Sequence, residues 1–189
     1  PYKVGVSSII TGPNSGEYVW VMGPTTWGKL DGAPGEGEHN IDWEKNINPN
    51  CESIGETMYW RGVKEVSYDA PGSSSFKKSR MRASRVFPDQ LPRYTEQMKK
   101  VVEVYKQKKY AASFSMATRE GFSSAPRPNV VTFTSFDKWA YWDNEAFIRD
   151  FKEVHGEGSW ERFLEQIDLC VDRSVTYDEL SEVLSELGG

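Results

Sequence analysis

The sequence predicts an α+β fold in which antiparallel β-hairpins are interspersed with amphipathic helices. β-rich segments occur in pairs that turn-forming residues separate, at 2–10 with 17–23 and at 110–118 with 130–136. Between the two pairs, apolar residues recur at helical spacing over 91–109. Hairpins combined with separate helices are typical of α+β proteins with an antiparallel sheet.

In the first half of the chain, turn-forming residues at 12–16 separate the two strands of the first hairpin. Residues 41–56 have a helical composition, although Pro49 must begin or interrupt any helix there. Residues 57–68 read TMYWRGVKEVSY and favour a strand. The Pro-, Gly- and Ser-rich stretch 70–75 is the best candidate for a linker.

The second half of the chain has a more regular pattern. A predicted strand at 79–87 precedes the helix at 91–109, and the second hairpin follows. An amphipathic helix at 144–155 comes next, and a further apolar stripe at helical spacing continues beyond it. Thr176 and Glu179 have the spacing of a capping box, which predicts that a last short helix begins there.

The two halves of the chain resemble each other in sequence. The segment YVWVMGPTTWGKLD (18–31) aligns without a gap with VVTFTSFDKWAYWD (130–143). In this alignment Trp27 falls on Trp139. Any two amphipathic hairpins are somewhat alike, but the shared tryptophan position favours an internal duplication.

The repeated unit, completed by the strand and helix before the second hairpin, has the order strand–helix–strand–strand–helix. This order is similar to the ferredoxin-like pattern, and the chain resembles the fused, two-module form of the dimeric α+β barrel superfamily. The resemblance implies antiparallel sheets with helices on one face. It also implies a first module at 1–70 without its first strand and helix, and a complete second module at 71–189 with a C-terminal short helix. We therefore expect an open edge at strand 18–22, and a strand and a helix upstream of Pro1.

The composition excludes several classes of partner. A formal net charge of −5 argues against a nucleic-acid partner or an anionic membrane surface. No apolar run is long enough to span a bilayer. Aromatic residues make up 13% of the chain and include seven tryptophans, so we expect the chain to fold around them rather than to be disordered.

The sequence predicts neither a metal site nor a cofactor. The two cysteines, Cys51 and Cys170, lack metal-binding spacing, and we expect both to be reduced, buried and far apart. A single disulfide is the alternative. The two histidines, His39 and His155, would have to converge from opposite modules to hold a metal ion. The sequence contains no common catalytic motif, so no catalytic residue is assigned.

Strand alternation indicates where a ligand could bind. If Val19, Val21, Val131 and Phe133 face the helices, the opposite face is polar. The candidate ligand site on that face consists of Trp20, Arg82, Ser113, Ser115, Thr132 and Thr134. Arginine and hydroxyl groups around a tryptophan suit a small anionic or hydroxylated ligand. A slip of one residue would exchange the two faces, and a solvated face or a subunit contact is the alternative interpretation.

Two functional hypotheses follow. The first is a small-molecule-binding or interaction protein, which could be a homodimer. The second is a cofactor-independent enzyme similar to the monooxygenases of the α+β barrel superfamily, acting inside the barrel. The predicted interior contains no His, Asp or Glu, which counts against the enzyme. A buried carboxyl or imidazole group with a shifted pKa in that interior would favour it.

Overall fold

The computed structural model describes residues 4–31, 41–121 and 126–186. These residues form one seven-stranded antiparallel sheet, which curls into a half-barrel, together with a layer of helices. The strands are β1 (Val4–Ile9), β2 (Tyr18–Met22), β3 (Trp60–Tyr68), β4 (Lys78–Val86), β5 (Ala112–Arg119), β6 (Val130–Phe136) and β7 (Val171–Val183). The α-helices are α1 (Trp27–Leu30), α2 (Leu91–Lys108), α3 (Phe147–His155) and α4 (Ser159–Cys170).

Shorter helical turns complete the secondary structure. A π-helical turn at Trp43–Ile47 leads into a 3-10 turn at Asn48–Asn50, and residues 51–59 have no regular structure. The predicted helix over 41–56 is therefore limited to its first part. Three further 3-10 turns lie at Ser73–Ser75, Pro88–Gln90 and Trp139–Asp143.

The strand order in the sheet is β2-β1-β7-β4-β6-β5-β3. Residues 78–183 run strand–helix–strand–strand–helix–strand and supply the four central strands, in the spatial order β7-β4-β6-β5. The two strands of the first hairpin flank this unit at β7, and β3 flanks it at β5. The strands before and after residue 70 belong to the same sheet. The division of the chain into two modules at this point stays a prediction.

Helix α2 provides the main apolar surface that packs against the sheet. Pro92 lies in its first turn, where the missing N–H causes no loss. The helix ends at Lys109, which adopts the left-handed conformation typical of a helix C-terminus. Tyr94, Val101, Val104 and other apolar residues at helical spacing are buried against β3, β5 and β6.

Residues of neighbouring antiparallel strands that lie directly opposite each other project to the same side of the sheet. Phe114 belongs to the helix-packed core and pairs with Thr134, which in turn pairs with Arg80. We call this side the outer face. The side chains at alternate positions project to the opposite side, which we call the inner face.

The face prediction was wrong for strands β2 and β6. Val131 and Phe133 lie opposite Ala117 and Ser115, on the inner face rather than towards the helices. Val19 and Val21 also lie on the inner face and are exposed. Strand β6 has apolar residues at both odd and even positions because both of its faces are covered. Its sequence alternation therefore did not indicate which face packs against the helices.

Within the described residues, strand β7 (Val171–Val183) replaces the predicted C-terminal short helix. Thr176 does not cap a helix, since its hydroxyl donates to the carbonyl oxygen of Asp172 at 3.0 Å. Pairing with both β1 and β4 provides backbone hydrogen bonds on both sides of the strand. These tertiary hydrogen bonds outweigh the local capping pattern.

Other predictions have mixed outcomes. Cys170 is buried as expected, whereas Cys51 is exposed because it follows the last helical turn in a segment without regular structure. His39 lies outside the described residues. The Nε2 atom of His155 lies 3.0 Å from the carbonyl oxygen of Lys100. No helix in the described ranges is both long and apolar enough to cross a membrane.

Candidate functional site

The candidate site is the inner face of the curled sheet. Several inner-face residues are almost fully buried although they do not belong to the helix-packed core. The exposed fraction is 1% for Ala83, 4% for Val131 and 3% for Glu179. The loop between β1 and β2 shields the Glu179 end of this face from solvent, whereas Met81 and Phe133 are half-buried.

Strand register arranges the inner face in rows that run across the strands. The middle row consists of Ser115, Phe133, Met81 and Glu179, from β5, β6, β4 and β7 in turn. It places an apolar surface of Phe133 and Met81 between a hydroxyl group and a carboxyl group. Three strand spacings of about 4.8 Å separate the two polar ends, roughly 14 Å along the sheet.

A row of four serines borders the middle row. It consists of Ser113, Ser135, Ser79 and Ser181, each directly opposite the next. The hydroxyl oxygens of Ser79 and Ser181 are 2.9 Å apart, and that of Ser113 accepts a hydrogen bond from the backbone N–H of Ala70. The row on the other side is largely apolar and consists of Ala117, Val131, Ala83 and Tyr177.

Glu179 is the buried carboxyl group of the inner face. Its Oε1 atom accepts hydrogen bonds from the side-chain Nδ2 of Asn14 at 2.6 Å and from the backbone N–H of the same residue at 3.3 Å. Burial raises the pKa of Glu179, and the two bonds from Asn14 offset only part of this effect. Glu17, a further carboxylate nearby, acts in the same direction as burial.

The loop between β1 and β2, residues 10–17, holds Asn14 against this carboxyl group. The backbone N–H of Ile10 donates to the carbonyl oxygen of Leu180 at 2.7 Å. In return, the backbone N–H of Leu180 donates to the hydroxyl of Thr11 at 3.1 Å. The loop is thus tied to the backbone of β7 at Leu180, the residue that follows Glu179.

The structure divides the sequence-predicted ligand site between the two faces of the sheet. Ser113 and Ser115 lie on the inner face, close to the middle row. Arg82, Thr132 and Thr134 lie on the outer face. Trp20 lies on the same side of edge strand β2, where it is exposed and contacts the ring of Trp43.

The arginines of β4 form an ion-pair cluster on the outer face. Arg82 donates two hydrogen bonds to Asp178, at 2.8 and 2.9 Å, and Arg80 donates one at 2.8 Å. Burial would raise the pKa of Asp178, but the two guanidinium groups hold it below its usual value. Because both arginines already share one carboxylate, this cluster is a poorer anion site than the sequence indicated.

A second group of buried polar residues lies at an open groove of about 350 Å³ beside the end of α2. There the hydroxyl of Tyr110 donates to Asp150 at 2.9 Å, and the hydroxyls of Tyr105 and Tyr141 are 3.2 Å apart. Burial raises the pKa of both Tyr110 and Tyr141, so these phenols stay protonated. We regard this cluster as a structural network that fixes α3 on α2.

Sequence reasoning missed Glu179 because it assigned the end of the chain to a helix. A signal was nevertheless present. Residues 171–177 read VDRSVTY and are rich in β-formers. Strand alternation over residues 177–181 would have placed Tyr177, Glu179 and Ser181 on the same face of the strand. Within the described ranges, no group of His, Cys, Asp and Glu side chains is arranged to hold a metal ion.

Comparison with known proteins gives a match in fold. No family model and no curated protein matches the sequence. Among solved structures, an anthrone oxidase-like protein is similar in fold, with a TM-score of 0.59 and 11% sequence identity. The match covers 97% of this chain and 77% of the other. At this identity, the similarity shows that the two chains share a fold.

Proposed function

We propose that the protein is a cofactor-independent oxygenase that binds a small aromatic substrate on the inner face, with Glu179 as the general base. The observation that supports this proposal is the buried glutamate with a raised pKa on the inner face of the sheet. Titratable groups with perturbed pKa values in enclosed sites are frequent in catalysis. A carboxylate with a raised pKa is also a stronger base near neutral pH.

The fold is consistent with this proposal. The order β7-β4-β6-β5 with two helical connections supports our proposal that this part of the chain is a ferredoxin-like module. We also propose that the first hairpin is a duplicate of the second. Trp27 and Trp139 each begin a short helical turn after the second strand of their hairpin. Both features are expected of an α+β barrel protein with two modules.

The name of the structural neighbour suggests the type of reaction. An anthrone is a tricyclic aromatic ketone with a methylene group opposite the carbonyl group. Removal of one methylene proton leaves a carbanion that is delocalised onto the carbonyl oxygen, and such an anion can reduce O2 directly. The methylene group loses two hydrogen atoms and gains one oxygen atom, and the second oxygen atom of O2 leaves as water.

The inner face provides the groups that this chemistry needs. Phe133 and Met81 form an apolar surface on which a flat ring system can lie. The carboxylate of Glu179 at one end of this surface takes the proton from the methylene carbon. The serine row beside it supplies hydroxyl groups for oxygen substituents of the substrate.

The Glu179→Gln variant tests the proposed base. The amide keeps an oxygen that can accept from Asn14 but cannot take up a proton, so we expect kcat/KM for anthrone to fall at least about 100-fold. O2 consumption and the absorbance of the quinone product measure the rate above the spontaneous oxidation. Glu182→Gln is the matched control, because Glu182 pairs with Lys78 on the outer face. Equal rates for wild type and Glu179→Gln would exclude this role.

A binding protein without catalysis is the second candidate, and the contacts of Glu179 favour it in one respect. Asn14 already donates two hydrogen bonds to this carboxyl group, which is also an arrangement that fixes a loop. Quenching of tryptophan fluorescence by anthrone in the absence of O2 measures binding alone. Saturable binding without turnover in air would support this second candidate.

A further inference from the structure

The loop at residues 10–17 contacts both the carboxyl group and the stem of the proposed base. We infer that Asn14 is the positioning residue of this site, which holds the Glu179 carboxylate in place and sets how readily it takes up a proton. This inference rests on the proposed function for its catalytic meaning. The contact between Asn14 and Glu179 is a property of the fold and can be tested without turnover.

The geometry of the two hydrogen bonds supports this role. Both donors of Asn14 end on Oε1 of Glu179, at 2.6 and 3.3 Å. From the part of the chain that the structure describes, no hydrogen bond reaches Oε2. The carboxylate is therefore oriented through one oxygen atom, while the other is left to accept a proton.

The approach of the loop to β7 is closer than a side chain would permit. Gly12 has a φ of +97°, and a Cβ atom there would lie 2.5 Å from the carbonyl oxygen of Asp178. The same Cβ atom would lie 2.7 Å from Cγ of Glu179. Glycine thus lets the loop backbone press against the stem of the Glu179 side chain, and this contact fixes the side chain from a second direction.

The charge balance around Glu179 gives Asn14 a defined electrostatic effect. Hydrogen bonds to the ionised form of a carboxyl group favour that form, so Asn14 counteracts the effect of burial. The titratable neighbours are Glu17, which acts in the same direction as burial, and the phenol of Tyr177 on the same strand. Without the Asn14 side-chain amide, only the longer hydrogen bond from the backbone N–H of residue 14 opposes burial and Glu17.

The test is an NMR titration of the 13C-labelled Glu179 carboxyl group in wild type and in the Asn14→Ala variant. Glu179→Gln assigns the signal. We expect the pKa of Glu179 to rise by about one to two units in Asn14→Ala, because a hydrogen bond to a charged group is lost. Ser15→Ala is the control, because Ser15 donates to Ile10 within the loop and does not bond Glu179. We expect it to leave the pKa unchanged.

The pH–rate profile for anthrone then connects the titration with catalysis. In Asn14→Ala, the acidic limb of kcat/KM should move upward by the same amount as the titrated pKa. An unchanged Glu179 pKa in a variant that melts like wild type would overturn the inference, whatever the activity. If the pKa of Glu179 shifts in Asn14→Ala but wild type itself does not turn over anthrone, the inference is supported and the proposed function is overturned. If Asn14→Ala does not fold, Asn14→Asp replaces it. This variant adds a like charge beside Glu179, so the pKa of Glu179 must be higher than in wild type. An unchanged pKa would then overturn the inference.

Discussion

Glu179 illustrates how one residue can be unfavourable for stability and useful for chemistry. The residue is 3% exposed, and the hydrogen-bond donors that offset its burial come from a single asparagine. A charged group in such a place is less stable than in water, which is the physical cause of its raised pKa. Asp178, the preceding residue, projects to the outer face, where two arginines lower its pKa. Neighbouring carboxyl groups thus have opposite shifts because the strand turns them to different faces.

The raised pKa of Glu179 predicts a pH-dependent effect on stability. Because the pKa is higher in the folded state, the favourable contribution of this group is fully present below its unfolded pKa. It is lost as pH rises through the folded pKa. The melting temperature of Glu179→Gln relative to wild type should therefore be higher at pH 8 than at pH 4.

Thermal unfolding of both proteins at several pH values measures this difference. The contribution of Asp178 has the opposite sign, since its stabilising effect is lost as pH falls through its lowered folded pKa. That contribution is present in both proteins and cancels in the comparison. A difference in melting temperature that is constant across pH would show that Glu179 titrates normally.

At the scale of secondary-structure elements, the sequence predicted well wherever the pattern was local. The second hairpin, the helix at 91–109 and the strand at 57–68 all occur within a few residues of their predicted bounds. Strand β7 was missed because a capping-box spacing is only a local signal, whereas its pairing partners β1 and β4 are distant in sequence. With β7 absent from the prediction, the interior had no titratable group. Because β7 was predicted to be a helix, Glu179 was left out of the predicted site.

The loop at 10–17 gives a prediction at the same scale. Gly12 and Gly16 both have positive φ values, of +97° and +92°, but a Cβ atom at Gly16 would meet nothing within 4 Å. Gly16→Ala should lower the free energy of unfolding by about 1 kcal/mol through backbone strain alone. Gly12→Ala should lower it by about 2 to 4 kcal/mol, since the loop must also move away from β7.

Urea denaturation measures both variants, and the difference between them isolates the contact with β7. Displacement of the loop in Gly12→Ala should also remove Asn14 from Glu179, so the Glu179 titration should change in this variant and not in Gly16→Ala. Equal losses of stability in the two variants would mean that the loop does not press on β7 as described.

For the whole molecule, the sheet has a well-packed part that the helices cover and a poorly packed part at the edge formed by β2. The helix-packed core contains residues from β3 to β7 and from α2, α3 and α4. Strand β2 lies at one edge of the described sheet, pairs with β1 alone and has all five residues exposed. The sequence predicted an open edge for this strand. It also predicted that Val19 and Val21 would be partly uncovered, but on the side facing the helices, whereas both are exposed on the inner face.

This uneven packing predicts a gradient in hydrogen exchange. Local opening requires less free energy where few apolar contacts are broken. Backbone amides of β2 should therefore exchange through local fluctuations, with protection far below that of β4 and β6, whose amides should exchange only on global unfolding. The loop at 10–17 joins β1 to β2, so its Asn14 amide should exchange at an intermediate rate. A ligand on the inner face should slow exchange in this loop more than in β4, because it stabilises the folded state in which the loop contacts Glu179. Uniform protection across β2, β4 and β6 would contradict this division of the sheet.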